Sequence, residues 1–262
     1  MKHIEKKFLL QRQVDSKEED KLNETLAFKS FEDLEESDLK EGFKDNLVFA
    51  STENGYLFPI INQKIDGLQC YIPMPDPTLM YFNNAQNSYR HIKELRTELK
   101  EKLGFKNIQD EPYINEIYNY FGQTSQFVIF LFTSIESFIN QMIPVNYTYQ
   151  IESSRRTEVY NSEQIQRFIS FNDKMKKVLP KCTDKNFFSK QTKNTQHIDN
   201  LKNFRDEIIH TKKDTKHSTL FYDSLVSKSL SFKYEETIRA VQMFMNFYKP
   251  DYVVECGCGE DF

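Results

Sequence analysis

Arg205 and His210 lie in the run Leu201-Lys202-Asn203-Phe204-Arg205-Asp206-Glu207-Ile208-Ile209-His210, with four residues between them. An imidazole titrates near neutral pH and can move protons, and a guanidinium is a permanent cation that can stabilise negative charge developing on phosphorus. A reaction at a phosphate ester could use both groups. The two residues are therefore the first candidates for chemistry in this sequence.

The spacing of Arg205 and His210 limits how they can act together. Residues five apart on a regular helix point about 140° away from one another, so one helix cannot present both side chains to a single phosphate. Convergence needs either fraying of the helix near His210 or a second copy of the chain. We expect a homodimer whose two-fold axis brings two such pairs into one cleft.

A purely structural role for the same residues is an open alternative. Arg205 could pair with a carboxylate such as Glu136 or Asp206, and His210 could interact with the negative end of the helix dipole. Glu136 itself lies in an apolar run. It is either an orienting partner for Arg205 or a carboxylate on a helix surface.

The remaining histidines and the cysteines give no metal site from sequence alone. Cys256-Gly257-Cys258 could supply two thiolates, but no further Cys or His pair follows to complete a tetrahedral site. We discard His3, His91 and His197 as ligands and expect His217 to be an inert loop residue. Four cysteines in 262 residues are too few for a disulfide framework, which favours a reducing cytoplasm. We expect no metal and no cofactor.

Helical periodicity dominates the sequence after residue 77. We predict helices from Pro77 to Leu103, Pro112 to Ile143, Ser162 to Leu179 with Ser162 as N-cap, Thr195 to His210, and Phe232 to Tyr248. The run from Gln126 to Val145 is long enough to span a membrane, but Glu136 and other polar residues interrupt it, so we interpret it as a buried core helix. The fold class is therefore mainly α, a helical bundle.

The N-terminal part has a different texture. The apolar runs Leu47 to Ala50, Tyr56 to Phe58 and Leu68 to Ile72 are separated by Glu53-Asn54-Gly55 and Asp66-Gly67, which are hairpin signals. An amphipathic helix with Leu22, Leu26 and Phe28 and an acidic connector precede them. The domains are thus residues 1–77, an extension of α and β-hairpin structure, residues 78–250, the helical domain, and residues 251–262, a flexible C-terminal tail.

Charge is distributed unevenly along the chain. Residues 15–45 carry a net charge of −7 and residues 174–217 a net charge of +7, although the whole chain has only −4. A local basic stretch can neutralise phosphates, and within it Lys202, Lys212 and Lys213 are the expected RNA contacts. A solvated surface is the simpler interpretation of such a Lys-rich stretch when it is considered alone.

The Arg205 to His210 motif resembles the R-x4-6-H signature of the HEPN superfamily, with the polar Asp206 directly after the arginine. The run from Phe132 to Asn140 is similar to an early HEPN helix, and the resemblance covers about Pro112 to Pro250. It implies a HEPN-like helical bundle and a metal-independent, dimeric endoribonuclease in which Arg205, Asp206 and His210 form the site. The products would carry 2',3'-cyclic phosphate ends.

The same resemblance implies a toxin or phage-defence effector, with RNA as substrate and a possible antitoxin or regulatory protein as partner. From the interrupted apolar run we expect no membrane association. HEPN proteins also include non-catalytic nucleotide-binding and protein-interaction modules, which is our alternative. In a third hypothesis, the protein is a helical adaptor whose basic stretch binds an acidic partner. We expect the N-terminal extension to bind a partner or regulate access without chemistry of its own.

Overall fold

The computed structural model describes residues 2–9, 12–13, 29–30, 47–51, 56–103, 114–152, 154, 156–210 and 218–258. Within these residues the chain forms two compact units. One consists of Lys6–Met80, and the other of Met1–Glu5 together with Tyr81–Phe262. The amphipathic helix predicted around Leu22, Leu26 and Phe28 and the Glu53-Asn54-Gly55 turn lie outside the described residues.

The Lys6–Met80 unit contains a five-stranded sheet in which the long strand β4 is central. The strands are β1 (Arg12–Gln13), β2 (Lys29–Ser30), β3 (Leu47–Ser51), β4 (Tyr56–Ile65) and β5 (Leu68–Pro73). Strands β1, β3 and β5 all pair antiparallel with β4, and β2 pairs parallel with β3. Asp66 and Gly67 both have positive φ, 49° and 90°, and form the predicted two-residue turn between β4 and β5. Three of the strands correspond to the predicted apolar runs.

The second unit is built from helices, which confirms the mainly α fold class. Its helical segments are α1 (Pro77–Lys102), α2 (Ile114–Met142), α3 (Ser162–Phe168), α4 (Phe171–Asp173), α5 (Leu179–Thr183), α6 (Lys193–Ile209), α7 (Ser218–Ser231) and α8 (Tyr234–Tyr248). The first four residues of α1, Pro77 to Met80, belong to the Lys6–Met80 unit, and the rest of the helix belongs to the second unit. Two short strands, β6 (Thr148–Glu152) and β7 (Thr157–Asn161), form an antiparallel hairpin after α2.

Helix α2 forms the centre of the helical unit. Its fully buried face includes Phe127, Val128, Leu131, Ile135 and Ile139, which confirms the core-helix interpretation. Among the described residues, no helix is both long and apolar enough to cross a membrane. A ring cluster joins α2 to its neighbours, since Phe127 contacts Phe232 and Tyr234, and Phe232 contacts Phe204 of α6.

Buried polar groups also connect helices in this core. The hydroxyl groups of Tyr120 on α2 and Tyr234 on α8 both donate to the carbonyl oxygen of Ser229 on α7, over 3.0 and 2.6 Å. The Thr124 hydroxyl lies 3.0 Å from that of Tyr234. These bonds satisfy groups that would otherwise destabilise the interior, and they fix α7 and α8 relative to α2.

The predicted single helix from Ser162 to Leu179 is wrong. Asn161, not Ser162, is the N-cap, because its side chain accepts from the backbone N–H of Gln164 in a capping box. Helix α3 ends at Phe168, and Ser170 caps a new segment. That segment continues through a π-helical turn, Lys174–Val178, into α5, where Pro180 occupies the first turn and therefore does not end the helix.

The C-terminal residues differ from the expected flexible tail. Tyr252 and Val253 are buried, at 4% and 1% exposure. The Val253 backbone donates to the Asn246 side chain over 2.8 Å, and its carbonyl accepts from Gln242 and Asn246. Residues 251–258 are thus a packed part of the helical unit, since they bury two large apolar side chains.

Candidate functional site

Helix α6 holds the Arg205 to His210 motif in a fixed orientation. Its N-terminus is closed by a capping box in which the Thr192 side chain accepts from the Thr195 N–H and the Thr195 hydroxyl accepts from the Thr192 N–H. Ile198, Leu201 and Phe204 are fully buried. The apolar face therefore determines where the following residues project.

Arg205 has two well-defined contacts. One guanidinium nitrogen donates to Asp206 Oδ1 over 3.1 Å, and the guanidinium carbon lies 4.6 Å from the centre of the Phe132 ring on α2. The Arg205 side chain is 28% exposed. A cation stacked on an aromatic face and tethered by a carboxylate has little rotational freedom, so the guanidinium is held in one place at the edge of the core.

Asp206 connects Arg205 to a second cation. Its Oδ2 accepts from Lys202 Nζ over 2.9 Å, one helical turn earlier. Partial burial raises the pKa of Asp206, but hydrogen bonds from Lys202 and Arg205 outweigh that effect and hold the pKa below its ordinary value. Asp206 is therefore ionised at neutral pH, and the expected RNA contact Lys202 is engaged within the chain.

His210 lies where α6 ends. It is the C-cap residue, with φ −103° and ψ 46°, and its backbone N–H donates to the Asp206 carbonyl over 2.9 Å. The residue is exposed. Because its backbone leaves the helical conformation, the 140° divergence of a regular helix does not fix the direction of its side chain. The described contacts of Arg205 are with Asp206 and Phe132, so the two motif residues do not contact each other within one chain.

Glu136 does not orient Arg205. Its carboxylate accepts a hydrogen bond from Lys174 Nζ over 3.1 Å. Lys174 begins the π-helical turn, which the periodicity of the sequence did not reveal. Lys174 is 2% exposed, and its ammonium also donates to the Asn140 side chain and the Gln166 carbonyl over 3.2 and 3.3 Å. Three acceptors thus satisfy the three donors of a buried ammonium group.

The Glu136–Lys174 pair is nevertheless structurally connected to Arg205. Phe132, whose ring contacts the Arg205 guanidinium, lies one turn before Glu136 on α2. Its ring also packs against the ring of Phe171, with the two centroids 4.4 Å apart. Phe171 begins the segment that leads to Lys174. The segment that packs against Phe132 is therefore the one that leads to Lys174, the buried partner of the partly exposed Glu136.

The basic stretch from residue 174 to residue 217 does not form one continuous strip of solvated cations. Besides Lys174 and Lys202, Lys176 pairs with Asp199 and Lys177 with Asp173, over 2.8 and 2.6 Å. Lys185 donates to the carbonyl groups of Phe247 and Tyr248 at the end of α8. Lys212, Lys213 and His217 lie outside the described residues. Contact with RNA would therefore require several lysines to leave their carboxylate partners. For the exposed pairs this costs little free energy.

Two places in the helical unit that could bind a ligand were not predicted from the sequence. His3 lies beside Cys256 and Cys258, and the nitrogen and sulfur atoms of the three residues are within 4.8 Å of one another. His3 was not predicted as a ligand, because Cys258 lies 255 positions further along the chain. The Cys256-Gly257-Cys258 spacing indicated two thiolate ligands. The third possible ligand, His3, becomes apparent only in the folded chain.

The second such place is a groove of about 460 Å³ between α1 and the start of α8. Its lining includes four basic side chains, two acidic ones and two tyrosines: Lys93, Arg96, Lys233, Arg239, Glu235, Glu236, Tyr89 and Tyr234. Arg239 is paired with Glu235 over 2.8 Å, and Lys93 Nζ lies 5.7 Å from the centre of the Tyr89 ring. Burial and the neighbouring Glu235 raise the pKa of Tyr89 to about 12. The groove is net positive and has aromatic surfaces.

Comparisons of the chain with protein-family models, with curated proteins and with solved structures found no match.

Proposed function

We propose that the protein is a metal-independent endoribonuclease of the HEPN type that acts as a toxin or phage-defence effector in the cytoplasm. The observation that carries the proposal is the placement of Arg205, held by Asp206 and Phe132 at the edge of the core, on the same helix as an exposed His210. A fixed cation and a mobile proton carrier are the two groups that cleavage through a 2'-hydroxyl requires.

In this mechanism Arg205 binds a non-bridging phosphate oxygen. A guanidinium carries five N–H donors, and the contact with Asp206 occupies one nitrogen, Nη1. Other donors can therefore reach a phosphate without breaking the Asp206 contact. Asp206 is a positioning residue, because its carboxylate orients the guanidinium and does not touch the reacting atoms.

His210 transfers the protons. As general base, its neutral imidazole accepts the proton of the 2'-hydroxyl while the 2'-oxygen attacks phosphorus. The bond from phosphorus to the 5'-oxygen breaks, and that oxygen takes a proton from a protonated imidazole. The products are a 2',3'-cyclic phosphate and a 5'-hydroxyl. Two imidazoles in opposite protonation states would serve these steps best.

A homodimer provides two copies of His210. Arg205 and His210 do not contact each other in one chain, and a two-fold axis near the end of α6 would bring both pairs into one cleft. The base could then come from one copy and the acid from the other. The same arrangement would concentrate the basic side chains near α6 around one RNA backbone, with affinity that falls as salt rises.

The test is incubation of the purified protein with total RNA in the presence of EDTA. We expect cleavage by the wild type and a loss of at least about 100-fold in both Arg205→Ala and His210→Ala. Arg167→Ala and His91→Ala are matched controls, because Arg167 and His91 are exposed and pair with a neighbouring Glu on their own helices. Equal cleavage by wild type and both motif variants would refute the proposal.

The groove between α1 and α8 favours a second candidate function, a non-catalytic nucleotide-binding module. Lys93 and Arg96 could bind phosphates. Calorimetric titration with ATP distinguishes the two functions. Binding that is lost in Arg96→Ala, together with RNA that stays intact in EDTA, would support the module and reject the nuclease.

A further inference from the structure

We propose that His3, Cys256 and Cys258 form a binding site for Zn²⁺ in the helical unit. Nε2 of His3 lies 3.3 Å from Sγ of Cys258, and the donor atoms of all three residues are within 4.8 Å of one another. In a tetrahedral zinc site, ligand atoms bound at ordinary distances are separated by about 3.5 to 3.8 Å. Small side-chain rotations therefore suffice to bring the three atoms around one ion.

The backbone near these residues makes their proximity a property of the fold. Residues Ile4 and Glu255 form an antiparallel bridge, in which the Glu5 N–H donates to the Val254 carbonyl over 2.9 Å and the Cys256 N–H donates to the His3 carbonyl over 2.7 Å. The latter bond joins two of the proposed ligand residues directly. His3 and Cys256 are thus held at a defined separation before any ion binds.

Both sides of this bridge are anchored in the core. Ile4 is 1% exposed, and the Gln86 side chain on α1 donates to the Lys2 carbonyl over 3.1 Å. On the other side, Val253 is buried and bonded to α8. A preformed scaffold lowers the conformational entropy lost when the ligands are ordered, so it favours binding.

The donor set selects the kind of ion. Two thiolates and an imidazole suit Zn²⁺, whereas Mg²⁺ and Ca²⁺ prefer oxygen ligands. The two thiols bind as thiolates and release their protons to solvent. Cys256 and Cys258 are not in disulfides, His3 and Cys256 are half-buried, and Cys258 is exposed, so an ion can enter.

Within the described residues no fourth His, Cys or carboxylate joins the group. A tetrahedral ion takes a fourth ligand besides these three. We infer that the ion fastens residues 2–5 to residues 251–258. Its role does not depend on the proposed RNA cleavage, since the ligands are not part of the Arg205 to His210 motif.

The experiment uses the full chain without an affinity tag and in a thiol-free reductant, because a polyhistidine tag or a disulfide would obscure the result. We expect one equivalent of Zn²⁺ per chain to survive desalting, and Co²⁺ to give sulfur-to-metal charge-transfer absorption and the visible bands of a tetrahedral ion. A free Zn²⁺ concentration about 100-fold above the dissociation constant should raise the Tm by roughly 5 °C or more.

Single variants identify the ligands. His3→Ala, Cys256→Ser and Cys258→Ser should each weaken Zn²⁺ binding by more than about 100-fold, since even changes outside the coordinating residues cost 10- to 100-fold. His91→Ala and Cys70→Ser control for loss of an imidazole or thiol elsewhere. Absence of Zn²⁺ binding by the wild type, or unchanged affinity in His3→Ala, would overturn the site. Neither result alters the expected cleavage in EDTA, so the two proposals fail separately.

Discussion

The guanidinium of Arg205 lies 4.6 Å from the centre of the Phe132 ring, and this contact joins α6 to the central helix α2. Lysine could not replace arginine in this contact, because only a planar guanidinium can stack on a ring and still direct its N–H groups sideways in the same plane. Charge alone would not reproduce the arrangement. The proposed phosphate-binding group is therefore specified by the core of the protein as well as by the motif.

Arg205→Lys should consequently impair RNA cleavage, although less than Arg205→Ala does. We expect it to lose at least about 10-fold in RNA cleavage although it keeps the positive charge, because the ammonium cannot donate to Asp206 and a phosphate from one stacked plane. Arg167→Lys is the matched control, since it makes the same exchange at an exposed arginine outside the motif. Full activity in Arg205→Lys would show that simple charge is sufficient there.

Lys174→Ala should destabilise the helical unit by about 2 to 4 kcal/mol. The substitution removes a buried ammonium and leaves Glu136, Asn140 and the Gln166 carbonyl without their donor. Urea unfolding at neutral pH measures the change. Lys177→Ala, which removes an exposed cation from the same turn, should have a much smaller effect. Equal effects of the two substitutions would contradict the structural role given to Lys174.

The contribution of Asp206 to stability should depend on pH. Its pKa is depressed in the folded protein from the ordinary value of 3.8, so its contribution is present above that value and is lost as the pH falls through the lower, folded pKa. We expect Asp206→Asn to be less stable than wild type near neutral pH, and the difference to disappear in strong acid. Unfolding midpoints measured across this range test it. A constant difference at every pH would argue against the ion pairs.

Sedimentation at micromolar concentration should give the mass of two chains. Mixing Arg205→Ala with His210→Ala chains tests the shared cleft, because mixed dimers that combine Arg205 from one chain with His210 from the other should regain part of the activity. The control is a mixture of Arg205→Ala with Arg167→Ala chains, in which one partner has an intact motif. It measures the effect of subunit exchange itself on activity. A monomer at all concentrations would contradict the dimer.

Much of the helical fold was predictable because periodic apolar residues determine which face of a helix is buried. The predicted helix from Pro112 to Ile143 agrees with Ile114–Met142 to within two residues, because apolar residues recur along it at helical spacing. The Asp66-Gly67 turn was predictable because positive φ is required at both positions. In these places local sequence and tertiary packing favour the same structure.

The missed elements are those in which local signals are weak or ambiguous. The β6–β7 hairpin alternates Tyr149 and Ile151 with polar residues over only five positions, which is little evidence for a strand. Helix α7 is only weakly amphipathic, so its apolar residues do not follow a clear helical periodicity in the sequence. The break at Ile169 and Ser170 follows from the side-chain cap of Ser170, and such a cap competes with a continuing helix only in the folded context.

The site was predictable as a motif but not as a set of contacts. Asp206 follows Arg205 directly, so an ion pair between them was one of the two pairings considered. The Lys174 partner of Glu136 was hidden, because the two residues are 38 positions apart and a π-helical turn sets the direction of the lysine. The His3 group depends on pairing between distant segments, which no local pattern encodes.

The chemical nature of the RNA ends made in EDTA tests the central claim most directly. If Arg205 and His210 cleave through the 2'-hydroxyl, wild-type protein should generate new 2',3'-cyclic phosphate ends, and both Arg205→Ala and His210→Ala should lose them. The exposed-residue controls Arg167→Ala and His91→Ala should produce the wild-type set of ends. New ends that carry 3'-hydroxyl groups, or cyclic phosphate ends that persist in both motif variants, would contradict the proposed mechanism.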